Sequence, residues 1–99
     1  MKINWTEQAE ADLKEVFDFI AKDSKKYAHF QISKLRNCTK ALKKQPYIGK
    51  RNEEFGDDKV RELVEGNYRI IYRIKSQERI DILLIHHGAR DLKRRMKKP

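Results

Sequence analysis

Lys59, Arg61, Arg69, Arg90 and His87 are the residues whose types could do chemistry on a phosphodiester. Cutting RNA through its own 2′-hydroxyl needs a base, an acid and cations for the charge that builds on phosphorus. Imidazole titrates near neutrality, so His87 is a candidate acid or base. Arg69 and Arg90 are the further catalytic candidates. Lys59, Arg61, Arg69 and Arg90 together are a candidate phosphate-binding set. No second acid–base partner is evident. Plain anion binding therefore stands beside catalysis as a reading of the same residues.

Other chemistries find less support. His86 and His87 are adjacent on a predicted strand and point to opposite faces, so they cannot chelate one ion. Cysteine and carboxylate clusters near them are absent from the sequence, and no metal site or cofactor is expected. There is no Gly-rich phosphate loop and no Ser/His/Asp arrangement. Cys38 is the one cysteine, which excludes an internal disulfide and suits a reducing, cytoplasmic setting. Its place on the apolar side of a helix predicts a buried, inert thiol.

The chain has 99 residues, the size of one domain over 1–99. It carries 24 Lys plus Arg against 15 Asp plus Glu, a net charge of +9. The excess is uneven: residues 59–99 hold 12 basic and 5 acidic side chains. Such a field attracts phosphate backbones or an acidic protein surface. The stretch 92–99 reads as a basic tail. The longest apolar run, Ile82–Ile85, is far below the ~20 residues of a membrane span, and the N-terminus has no secretory pattern.

The elements that must position these residues are legible from periodicity. Residues 2–5 read as a strand. Thr6 is a predicted N-cap, and Ala9, Leu13, Val16, Phe17 and Ile20 recur at helical spacing. Ser24 is a second cap, ahead of Ala28, Ile32, Leu35 and Leu42, and Pro46 bounds this helix. Tyr47–Asp58 is a predicted loop. Lys59–Val64, Tyr68–Lys75 and Arg79–His87 are rich in Val, Ile and Tyr, and short turns join them into an antiparallel meander. The fold class is α+β: an N-terminal strand and a long αα-hairpin packed on that meander.

Register decides what the sheet presents. A two-residue turn at Gly66-Asn67 mixes charge and hydrophobe on both faces. A three-residue turn, Glu65–Asn67, pairs Val64 with Tyr68 and separates them, so desolvation favours it. In that register Val60, Val64, Tyr68, Ile70, Tyr72, Ile74, Ile80, Ile82 and Leu84 face the helices with His86, and Glu62 sits awkwardly among them. Lys59, Arg61, Arg69 and His87 then surround Leu63, Ile71 and Ile85, a cationic groove with an apolar floor. Arg73 faces Asp81 as an ion pair.

In this order, the motifs resemble the RelE/ParE superfamily of bacterial toxins over roughly residues 3–92. The marks are Trp5-Thr6 with Ala9, Asp12 and Leu13; Pro46–Gly49; Val60–Leu63; Tyr68–Ile74; and His87–Asp91. The resemblance implies a RelE/ParE-like helical hairpin on an antiparallel sheet. It also implies the toxin of a type II toxin–antitoxin pair. Within the superfamily, the long hairpin and the Trp5–Leu13 opening look like the ParE branch, whose members inhibit DNA gyrase and so replication and are not known as nucleases. The RelE branch, whose members cut mRNA on the ribosome, is the alternative. Its C-terminal tyrosine has no counterpart in Leu92–Pro99, and His87 is the candidate substitute. A toxin-like domain that only binds its antitoxin is a third reading. Each implies a hetero-oligomer with a cognate antitoxin, for which Leu63, Ile71 and Ile85 are candidate contacts.

Overall fold

The computed structural model describes residues 1–87. Arg90 and the basic stretch 92–99 lie outside them. Strand β1 (Lys2–Trp5) leads into helices α1 (Glu7–Ala21) and α2 (Lys25–Cys38), then a 3-10 helix over Thr39–Lys43. Strands β2 (Lys50–Arg51), β3 (Val60–Glu65), β4 (Tyr68–Ile74) and β5 (Arg79–His87) complete the described residues. The predicted loop thus contains one short strand, β2. The sheet order is β1-β5-β4-β3-β2, with β1 parallel to β5 and the other pairs antiparallel.

Local chemistry explains the helix boundaries. Thr6 Oγ1 accepts from the Ala9 N–H at 3.1 Å and donates to the Ile82 carbonyl at 2.8 Å. One side chain both caps α1, worth ~1 kcal/mol, and ties its start to β5. Glu7 and Glu10 occupy the first turn, where the helix dipole favours acids. Ser24 Oγ caps α2 by accepting from the Tyr27 N–H at 3.1 Å. The 3-10 helix tightens the chain ahead of Pro46.

The hairpin covers one face of the sheet. Ala9, Leu13, Leu35 and Leu42 pack there on Ile70, Tyr72, Ile74, Ile80, Ile82 and Ile85. Asp12 is buried with them, and one of its carboxylate oxygens accepts from the Ile85 N–H at 2.9 Å. This clasp joins the middle of α1 to β5. No helix among the described residues is long and apolar enough to cross a membrane.

The register departs from the expectation. Glu65 pairs with Tyr68, Val64 with Arg69 and Leu63 with Ile70. The turn is therefore the two-residue Gly66-Asn67 loop. Gly66 adopts φ +60° at its first position, and among the described residues no non-glycine residue has a positive φ. That is the glycine-first pattern of a hairpin whose twist matches its strands. A bulge follows at Ile71/Tyr72, leaving Leu83 as the extra residue of β5. It moves Ile85 into the main core and Leu84 onto the opposite face, beside Val60 and Ile71.

The charges on the mixed faces are paired, which offsets part of their desolvation cost. Residues 52–58 fold over the helix-free face and bring carboxylates and Phe55 to it. A bare face would have favoured the three-residue turn; the covered one does not.

Candidate functional site

The expected groove of Lys59, Arg61, Arg69 and His87 around Leu63, Ile71 and Ile85 does not form. The two-residue turn and the bulge divide these residues between the two faces. Arg61, Leu63, Ile85 and His87 fall on the helix side, and Arg69 and Ile71 on the other. Ile71 and Ile85 are buried and Leu63 is half-buried, so no apolar floor lies open. The separation has a geometric cause: a shift of one residue moves a side chain to the opposite face.

Arg69 is bound by carboxylates. Its Nε donates to Glu62 Oε2, its Nη2 donates to Glu62 Oε1 at 2.9 Å, and Glu54 Oε2 lies 3.3 Å from Nη2. Glu62 is 5 % exposed, so this partner offsets the cost of its burial. Those hydrogen bonds raise the Arg69 pKa further above its ordinary value. Glu62 was expected on the helix side and lies opposite it, where it is satisfied.

Arg73 departs from expectation as well. It stands across from Asp81 in the ladder, yet its Nη2 lies 3.8 Å from Asp57 Oδ2 and its guanidinium lies 5.0 Å from the Phe55 ring centroid. Asp81 pairs with Arg79 at 2.8 Å and accepts from Asn4 Nδ2 at 3.0 Å. The Arg79 hydrogen bond holds the Asp81 carboxyl below the usual range.

Arg61 serves the chain itself. Its Nη1 donates to the Gly49 carbonyl at 3.0 Å, its Nη2 donates to Asp58 Oδ1 at 3.1 Å, and it stacks on Tyr47, 4.9 Å from the ring centroid. Beneath it, buried Tyr72 Oη donates to the Pro46 carbonyl at 2.8 Å and accepts from the Gly49 N–H at 2.9 Å. Tyr72 is therefore a core residue, as its face implied. Lys59 is exposed beside the same region, in a cleft of about 480 Å³ with Tyr47 and Pro46.

His86 and His87 point to opposite faces, as expected of strand neighbours. His86 is fully buried across from Arg69. His87 is exposed, edge-on to Tyr68 with ring centroids 5.5 Å apart. It borders a cleft of about 240 Å³ between α1 and the sheet, with Asp12, Glu15, Val16, Phe19, Tyr68 and Ile85. Among the described residues, no group of three His, Cys, Asp or Glu side chains is placed to hold a metal ion.

Cys38 is half-buried, its thiol donates to the Leu35 carbonyl at 3.1 Å, and burial pushes its pKa up to about 11. The residues that sequence reasoning missed are Glu54, Phe55 and Asp57. Their signal was the run Glu53-Glu54-Phe55-Gly56-Asp57-Asp58, acidic and centred on an aromatic, in a basic chain.

Residues 3–92 match the family model described as "ParE toxin of type II toxin-antitoxin system, parDE". The chain belongs to the ParE toxin family. Among solved structures it is similar to a chain of the chromosomal ParDE TA system from P. aeruginosa, at 24 % identity and a TM-score of 0.75. That alignment covers 88 % of this chain and 95 % of the other, a likeness of fold. None of the curated proteins matches the sequence significantly. ParE membership agrees with the resemblance read from the motifs, including its branch, and makes the chain a toxin of the type II class.

Proposed function

We propose that this toxin arrests growth by inhibiting DNA gyrase and is neutralised by a cognate antitoxin in the cytoplasm. The observation that carries this over RNA cleavage is the state of Arg69. Its guanidinium is occupied by Glu62 and Glu54, while His87 lies on the other face. A cleavage site needs a free cation and an acid–base group around one phosphate. Family membership supports the ParE target.

Lys59 remains a candidate contact with the target because its side chain is exposed, and Arg61 borders the same region. Arg90 stays a candidate from the motif alone. The net charge of +9 suits an acidic antitoxin that orders on binding. Of the three expected antitoxin contacts, half-buried Leu63 is the most accessible.

The test is brief expression in bacteria with pulse-labelled thymidine and methionine. We expect DNA synthesis to fall first, with a DNA damage response, and purified protein to inhibit gyrase supercoiling. An earlier fall in protein synthesis would overturn this in favour of ribosome-dependent cleavage. Unchanged rates with folded protein would leave a domain that only binds its antitoxin.

A further inference from the structure

The helix-free face of the sheet bears Arg69, Arg73, Ile71 and Leu84, and the loop over residues 53–58 lies on it. Four of that loop's six residues are carboxylates, and one is the aromatic Phe55. Phe55 packs on the Val60, Ile71 and Leu84 cluster. Glu54 lies 3.3 Å from Arg69 and Asp57 lies 3.8 Å from Arg73, which also stacks on Phe55. Aromatic ring and flanking acids are thus matched to an apolar patch between two arginines. The chain holds its own segment the way an interface holds a short acidic peptide.

We propose that this loop is a resident occupant of a docking face, and that the face takes a segment of a partner protein with the pattern acid–aromatic–any–acid. The partner segment displaces the loop. Charge complementarity argues for this occupant, because Glu54, Phe55 and Asp57 show which spacing the two arginines and the patch accept.

The contacts between the loop and the sheet face are partly open to solvent, whereas the hydrogen bonds of Phe55 and Gly56 to Asn52 lie within the loop and its base. Phe55 is half-buried, and the Arg73–Asp57 pair has side chains 29 % and 41 % exposed, a setting in which ion pairs contribute little. Within the loop, Gly56 takes φ +73°, the Phe55 N–H donates to Asn52 Oδ1 at 2.7 Å and the Gly56 N–H donates to the Asn52 carbonyl at 3.3 Å, so the turn keeps its shape when it leaves the sheet. Glu62 stays on Arg69 when the loop leaves, so the sheet keeps its buried pair. The inference is independent of whether gyrase is the target.

The experiment uses the full chain and a fluorescent, end-capped peptide with the sequence of residues 53–58, followed by anisotropy at low salt. The variant Phe55→Ser/Asp57→Asn weakens the resident loop. Its affinity for the peptide should rise roughly tenfold over the unsubstituted chain, because the binding-competent population grows. Adding Arg73→Gln should abolish that gain. Arg69→Ala is avoided because it strands the Glu62 charge. Equal affinity of the unsubstituted chain and the variant, or a gain that survives Arg73→Gln, would overturn the proposal. Amide exchange on the unsubstituted chain is a second test that needs no variant to fold. The Phe55 and Gly56 amides should exchange ~100-fold faster than those of Ile71 and Leu84, as expected of local opening. Exchange at the rate of the core strands would make the loop a fixed part of the fold and overturn the proposal.

Discussion

Arg69 and His87 sit on adjacent strands, one residue out of step, and face opposite sides of the sheet. Tyr68 is the partner of His87, and His86 is the partner of Arg69. One phosphate therefore cannot touch both side chains. Arg69 instead anchors the buried Glu62 carboxylate, which gives it a structural role whatever the toxin's target.

Arg69→Ala is expected to lower stability by about 3 kcal/mol, because it leaves a buried carboxylate unpaired. Adding Glu62→Gln should recover part of that loss. Urea denaturation of the two single variants and the double variant checks this through the coupling energy. Additive losses would mean the pair contributes nothing together.

Tyr72 holds the approach to β2 through two hydrogen bonds, so Tyr72→Phe should cost about 1–3 kcal/mol by orphaning the Gly49 N–H. Gly49→Ala should be at least as damaging. A Cβ there would lie 2.5 Å from Tyr72 Oη and 2.7 Å from the Glu62 carbonyl, closer than van der Waals contact allows. Thermal unfolding of each variant provides the comparison, and a midpoint shift within error for both would contradict it.

Asp81 gives the stability a defined acid dependence. Arg79 lowers its folded pKa, so its contribution is fully present above the unfolded value of ~3.9 and disappears as pH falls through the folded value. The stability gap between the unsubstituted chain and Asp81→Asn should accordingly be constant near neutrality and close below pH ~4. Denaturant titrations at several pH values test the sign.

With its pKa pushed up to about 11 from 9.0, the Cys38 thiol should resist alkylation. Only the thiolate reacts, so at pH 8 iodoacetamide should modify it ~100-fold more slowly than a free thiol. Rapid labelling of folded protein would place Cys38 in a more open setting than its contact with Leu35 implies.

Much of the fold was legible because its signals are local. Thr6 and Ser24 cap the two helices they were expected to cap, and β5 spans Arg79–His87 as expected from its β-forming residues. The opposed histidines followed from strand alternation. The parallel pairing of β1 with β5 joins residues almost eighty positions apart, and no local signal encodes it.

The candidate site was less legible, for a different reason. The helical hairpin, the meander, the basic excess and the motifs that mark the toxin family are properties of short windows or of composition, and so could be read directly. That Gly66 closes a two-residue turn, that Leu83 bulges, and that Glu54, Phe55 and Asp57 cover the arginines emerges only in the folded chain. Turn and loop are coupled. A face that mixes charge with hydrophobe is costly when bare and acceptable once carboxylates from a distant loop pair with it. Whether that loop returns to the sheet depends on chain geometry between Asn52 and Val60, which no residue-by-residue pattern contains.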